Sequence, residues 1–258
     1  MITRLKNKRG FCHKLRFCIL CTFFSISFFS FSQVQNQEQF GIGLIDYSIQ
    51  SGSNLIKSPF NWVTKDYLNM LSGFSLFTLA YTNDQKIYDY LQSKKTPFSE
   101  KISWVGEKWG NGTFVGGVYA LSGLSAIIFS NEDLKVFCKK GMVSGFYTSV
   151  AILSLKQLFQ RKRPYMSSHP YEFGSIMKKP HYHSLPSGHT AMAFNLATVI
   201  AHSSENKMHG VLAYAMAFLT AWSRVHDQKH WASDVVLGGV LSVAITTTVI
   251  NTYEKRKP

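Results

Sequence analysis

The chain has 258 residues, 45% hydrophobic, 14% aromatic and 16% charged, with 28 Lys and Arg against 14 Asp and Glu. That length and apolar content exclude a disordered chain and allow a sizeable buried core. A net charge of +14 suggests nucleic acid only until it is mapped. Arg4, Lys6, Lys8, Arg9, Lys14 and Arg16 carry six of those charges with no acidic residue among them, and no nucleic-acid recognition motif follows.

Residues 1–32 combine this basic start with a 16-residue apolar run, Phe17 to Ser32, and an abrupt polar turn at Gln33. Ser30 and Ser32 supply the small residues a signal peptidase prefers, and the run is shorter than the ~20 residues of a spanning helix. The expectation is a signal peptide removed after Ser32, with an uncleaved anchor as the alternative. Mass spectrometry of the mature protein should then find Gln33 at its N-terminus; a retained Met1 or Ile2 would indicate the anchor. Cys12, Cys18 and Cys21 fall in this segment, leaving Cys138 and so neither an internal disulfide nor a cysteine-based zinc site.

Residues 33–66 read as an irregular lead-in with turn signals and scattered aromatics (Phe40, Tyr47, Phe60, Trp62). Six apolar stretches follow, at 67–82, 113–130, 141–155, 190–202, 210–222 and 235–250. None alternates with period two and each exceeds a typical strand, so the spacing predicts helices. The fold class is all-α: a compact bundle of about six core helices over 67–252, then a basic tail at 253–258. The runs are 13 to 18 residues long and the mean hydropathy is −0.03, both low for six spans. This favours an exported chain on the periplasmic side, soluble or peripherally attached, with an integral membrane protein as the alternative.

Three clusters carry chemistry. Lys156 and Arg163 are seven residues apart, two helical turns, so a continuous helix would project both cations from one face toward an oxyanion. Pro164 would end that helix. Pro186, Ser187, Gly188 and His189 precede an apolar helical run and mark a helix start, where free N–H groups favour an anion and His189 can move a proton. Arg224, His230 and Asp234 form the third cluster. His230 and Asp234 are four apart, so on a helix the carboxylate would fix the imidazole tautomer and leave the other nitrogen to attack. His181, His183, Lys178, Lys179, His226 and Asp227 read as loop and turn residues, and Cys138 as a small packed side chain.

Each cluster alone has a bland structural reading; their order does not. Lys156 with Arg163-Pro164, then Pro186-Ser187-Gly188-His189, then Ser223-Arg224 with His230 and Asp234, together resemble the type 2 phosphatidic acid phosphatase and vanadium haloperoxidase superfamily. The resemblance spans residues 156–234 with every motif position present. It implies His230 as a nucleophile forming a phosphohistidine, Asp234 as its orienting partner and His189 as general acid and base. Lys156, Arg163, Arg224, Ser187 and the Gly188 amide would bind the phosphoryl oxygens. Three cations can take the place of metal ions, so neither a metal nor another cofactor is expected. The implied function is an exported phosphatase acting on a lipid phosphate or small phosphomonoester, possible membrane association included and nucleic acid excluded. The alternatives are a vanadate-dependent haloperoxidase, with vanadate as cofactor, and a non-catalytic phosphate-binding membrane protein.

Overall fold

The computed structural model describes residues 43–175 and 182–255. The expected signal segment 1–32, Phe40, Lys178, Lys179, His181 and the end of the basic tail lie outside the described residues. Gly41–Pro258 form one compact unit. Among its described residues there are eight α-helices and no strand, apart from an isolated bridge between Arg161 and Phe173. The helices are α1 (Leu44–Lys57), α2 (Thr64–Ser93), α3 (Pro97–Trp109), α4 (Gly112–Ile128), α5 (Glu132–Phe159), α6 (Gly188–Ser203), α7 (Lys207–His226) and α8 (Ala232–Glu254).

Local chemistry sets their boundaries. Asn111, Asn131, Ser187 and Asn206 each accept an N-terminal amide of the helix that follows. Thr96 and Ser99 cap α3 reciprocally, with Pro97 at the first helical position. The six expected apolar stretches lie in α2 and α4–α8. All but α4 are longer than their apolar runs because polar first and last turns extend them; α2 reaches 30 residues and α5 reaches 28, while α4 has 17 against the 18 expected.

Two helices were not expected. The segment read as an irregular lead-in holds α1, whose Tyr47 is fully buried, packs with Val143 and Val249, and donates its hydroxyl to Val249 O at 3.0 Å. Burial of such a ring stabilises by roughly 1.5–3 kcal/mol, enough to dock a helix whose only other buried residue is Ser51. Phe60, from the same segment, is 87% exposed. The second is α3, whose buried residues are Ser103 and Gly106.

The bundle centres on α6, which packs against α5, α7 and α8. Ala193, Phe194 and Ala197 of α6 meet Ala213 and Ala217 of α7, small side chains that bring the axes close. The outer surface is unusually apolar: Leu71 and Phe74 of α2, Ile127 of α4, Phe146 and Leu153 of α5 and Phe218 of α7 are all more than half exposed. α8 is long and apolar enough to cross a membrane, and α3 with α4 would pass the same test as a pair bent by 50°.

Candidate active site

The C-terminal ends of α5 and α7 and the N-terminal ends of α6 and α8 meet at one end of the bundle, and the three motifs lie there. Lys156 is in the last turn of α5 and donates to His183 O at 2.7 Å. The helix does not continue to Arg163. It stops at Phe159, and Gln160 adopts a left-handed conformation (φ 45°). Lys156 and Arg163 therefore do not share a helix face: Arg163 enters from the loop, just before the turn started by Pro164. Its Nε is buried with no hydrogen-bond partner among the described residues, a donor able to serve an anion.

The second motif opens α6, the helix start that its residues predict. Ser187 caps α6, its oxygen accepting from the Thr190 amide and from the Thr190 hydroxyl at 3.0 Å, which leaves its own proton to donate. Gly188 holds the first helical position, where an N–H has no acceptor within the helix. His189 follows in the first turn. Burial pushes its pKa down to about 4, assisted by the positive charges of Arg224, Arg163 and Lys156 and opposed by Glu107.

In the third motif, Arg224 ends α7 with Nη2 on Asp227 Oδ2 at 2.9 Å and Nε on Ser223 Oγ at 3.1 Å. Asp227 also accepts from Ser103 Oγ at 2.7 Å, and His226 is buried between Asp227 and Ser99. These two residues of the spacer thus hold Arg224 and pin α3, rather than merely turning the chain.

His230 precedes α8 and is 3% exposed. It does not stack over Asp234 on a helix, because Trp231 is the N-cap between them. Its Nδ1 lies 2.7 Å from Ser184 O and 3.7 Å from the nearer Asp234 oxygen. A carbonyl can only accept, so Nδ1 carries the proton and Nε2 is the unprotonated nitrogen. The direct orienting partner is therefore the Ser184 carbonyl and not the Asp234 carboxylate. Burial pushes His230 down to about 3, with Lys156 and Arg163 pushing the same way and Asp234 opposing, so the ring is a neutral base above that pH.

Asp234 acts one step back. Its Oδ2 accepts from Ser184 Oγ at 2.5 Å and from the Trp231 amide at 2.8 Å, fixing the loop that presents the carbonyl. Its Oδ1 accepts from Arg161 Nη1 at 2.8 Å, while Arg161 Nη2 reaches Asp84 Oδ2 of α2 at 2.7 Å. All three side chains are fully buried. Asp84 further accepts from the amide and hydroxyl of Ser233, and the Tyr81 and Trp231 rings lie 5.2 and 5.7 Å from the guanidinium. Sequence reasoning missed Arg161, Asp84, Ser184 and Glu107. Arg161 lay in plain view inside the first motif, but nothing in the chain pattern ties Asp84 or Glu107 to it.

Lys156, Arg163 and Arg224, a neutral imidazole with one unprotonated nitrogen and a second imidazole at a helix N-terminus make an arrangement able to hold a phosphoryl group and attack it. The model of the PAP2 superfamily matches residues 141–258. A lipid A 1-phosphatase of Porphyromonas gingivalis is 39% identical over 64 residues, which are 24% of this chain and 14% of that protein's length. Two crystal structures share the fold. Aquifex aeolicus LpxE has a TM-score of 0.52 at 22% identity, over 65% of this chain and 94% of its own. The first transmembrane PAP2 type phosphatidylglycerolphosphate phosphatase from Bacillus subtilis has a TM-score of 0.56 at 20% identity, over 72% and 96%. All three motifs gathered at this end of the fold lie within the segment 141–258 that matches the PAP2 superfamily.

Proposed function

We propose that the chain is a metal-independent phosphatase that removes phosphate from a lipid phosphate through a phosphohistidine intermediate, at the surface of a bilayer that contacts its apolar helices. The observation that carries this reading is His230: buried, neutral, with Nδ1 held by a carbonyl and its ring within the electrostatic reach of Lys156 and Arg163. The phosphoryl oxygens are bound by Lys156, Arg163 and Arg224, with the Ser187 hydroxyl and Gly188 amide. His230 Nε2 attacks phosphorus as the P–O bond to the leaving alcohol breaks, and His189 gives that oxygen its proton. Water then attacks phosphorus, passes a proton to His189 and displaces His230 as the P–N bond breaks. Inorganic phosphate leaves and both imidazoles are restored.

The lipid class is supported by the exposed apolar residues of α2, α4, α5 and α7 and by the names of the curated relative and the Bacillus subtilis neighbour. α8, 23 residues long, is also long and apolar enough to cross a bilayer. Export of the site rests on the basic and apolar segment 1–32.

Phosphate release by the detergent-purified chain tests the reading, with lipid phosphates, sugar phosphates and nucleotides compared. Lipid phosphates should turn over fastest. Turnover should persist in EDTA, because three cations already neutralise the transferred group, and vanadate should compete for the same pocket. Activity lost in EDTA and restored only by a divalent metal would overturn metal independence. Peroxide-dependent halide oxidation by the vanadate-loaded protein would instead favour a haloperoxidase.

A further inference from the structure

We propose that Glu107 is a positioning residue for His189, the carboxylate that keeps the imidazole aimed and protonated for delivery to the leaving oxygen. The proposal rests on the phosphatase reading above and deepens it. Glu107 lies outside the segment matched by the family model, on α3, and no motif marks it.

The geometry brings it there. Glu107 Oε1 lies 3.7 Å from His189 Nε2, while Oε2 pairs with Lys108 Nζ at 2.8 Å. One carboxylate oxygen is thus held and the other faces the imidazole. The distance exceeds a hydrogen bond, but catalytic contacts often tighten only once substrate binds. Two glycines make the approach possible. A Cβ on Gly106 would sit 2.7 Å from Leu219 O, and one on Gly110 would sit 2.6 Å from His189 O. With Cβ atoms there, α3 would be forced off both α7 and the His189 turn. Thr220 Oγ1 donating to Gly106 O at 2.7 Å, and Ser103 Oγ donating to Asp227, fix the helix on either side of that contact.

The electrostatic need is specific. His189 is surrounded by Arg224 from α7, Arg163 from the loop and Lys156 from α5, with Glu107 and its partner Lys108 on α3. Three of those cations serve the phosphate, and all three disfavour an imidazolium. Glu107 is the negative charge among these groups. A general acid must carry its proton to the leaving oxygen as the P–O bond breaks. Glu107, joined by the arriving phosphate, offsets the cations enough for His189 to hold that proton.

The test compares wild type, Glu107→Gln and Glu107→Asp on an alkyl phosphate and on 4-nitrophenyl phosphate, whose leaving group needs no proton. In Glu107→Gln, kcat on the alkyl phosphate should fall about tenfold or more, part of the 10²–10⁴ that general acid–base catalysis contributes. Loss on the nitrophenyl ester should be about threefold or less, since no proton transfer is at stake. The basic limb of the alkyl phosphate profile should move to lower pH, and Glu107→Asp should recover part of the rate. NMR titration of the His189 ring in the free protein should shift to lower pH in Glu107→Gln, because removing a negative charge disfavours the imidazolium. Equal losses on both esters, or an unmoved ring titration, would overturn the pairing. Absence of phosphatase activity in the wild type would sink the proposed function, while the ring titration would still decide whether Glu107 and His189 are coupled.

Discussion

Replacing His230 by alanine is expected to abolish turnover and phosphoenzyme formation together. The ring is 3% exposed, with Nδ1 occupied and Nε2 free, and no other neutral nitrogen is comparably placed among the described residues of the motifs. Removing a covalent nucleophile costs on the order of 10⁴-fold or more in kcat, because no second group takes over the bond-forming step. Acid-quenched trapping with labelled phosphate measures it. His230→Ala should show no labelled protein with any substrate, whereas His189→Ala should still label slowly when the leaving group is a nitrophenolate. Equal labelling of wild type and His230→Ala would move the nucleophile elsewhere.

Arg161→Met should be the most destabilising single change near the site. Arg161 bridges Asp84 and Asp234, and all three side chains are fully buried. Methionine keeps much of the stem but leaves two carboxylates without their cation. Breaking a buried pair by removing one partner typically costs about 3–5 kcal/mol, since the remaining charge is stranded in a low dielectric. Arg161→Lys should recover part of that, as one ammonium cannot span both carboxylates with a planar fork. Denaturant unfolding in detergent measures the difference. A shift within about 0.5 kcal/mol of wild type, the range of an ordinary surface substitution, would mean the network does not hold the site. Activity should fall further than stability requires, because Asp234 also fixes the Ser184 loop behind His230.

The helices legible in the sequence are those whose apolar residues run together. α6 shows the reason: nine of its residues from Thr190 to Val199 are buried, so its pattern is almost continuously apolar. α1 and α3 escaped because what they bury is Tyr47 with Ser51, and Ser103 with Gly106. Such narrow, small or polar faces leave no periodic apolar signal. The motif residues converge as the chain order implied, but two spacings misled. Seven and four residues fit helix faces only while the helix is unbroken. Gln160 interrupts the first and Trp231 the second. Asp84 and Glu107 were beyond reach, since each meets the site only through tertiary packing of α2 and α3.

The acceptor on His230 also bears on the second half of the proposed phosphohistidine cycle. A carboxylate hydrogen-bonded to Nδ1 could take its proton once Nε2 is phosphorylated, and the ring would then have to depart as an imidazolate, a poor leaving group. The Ser184 carbonyl is not basic enough to do so. The Nδ1 proton therefore stays on the ring through both steps. On the proposed mechanism, imidazole would be expelled from phosphorus as a neutral molecule, which would favour a short-lived covalent intermediate over a stalled one.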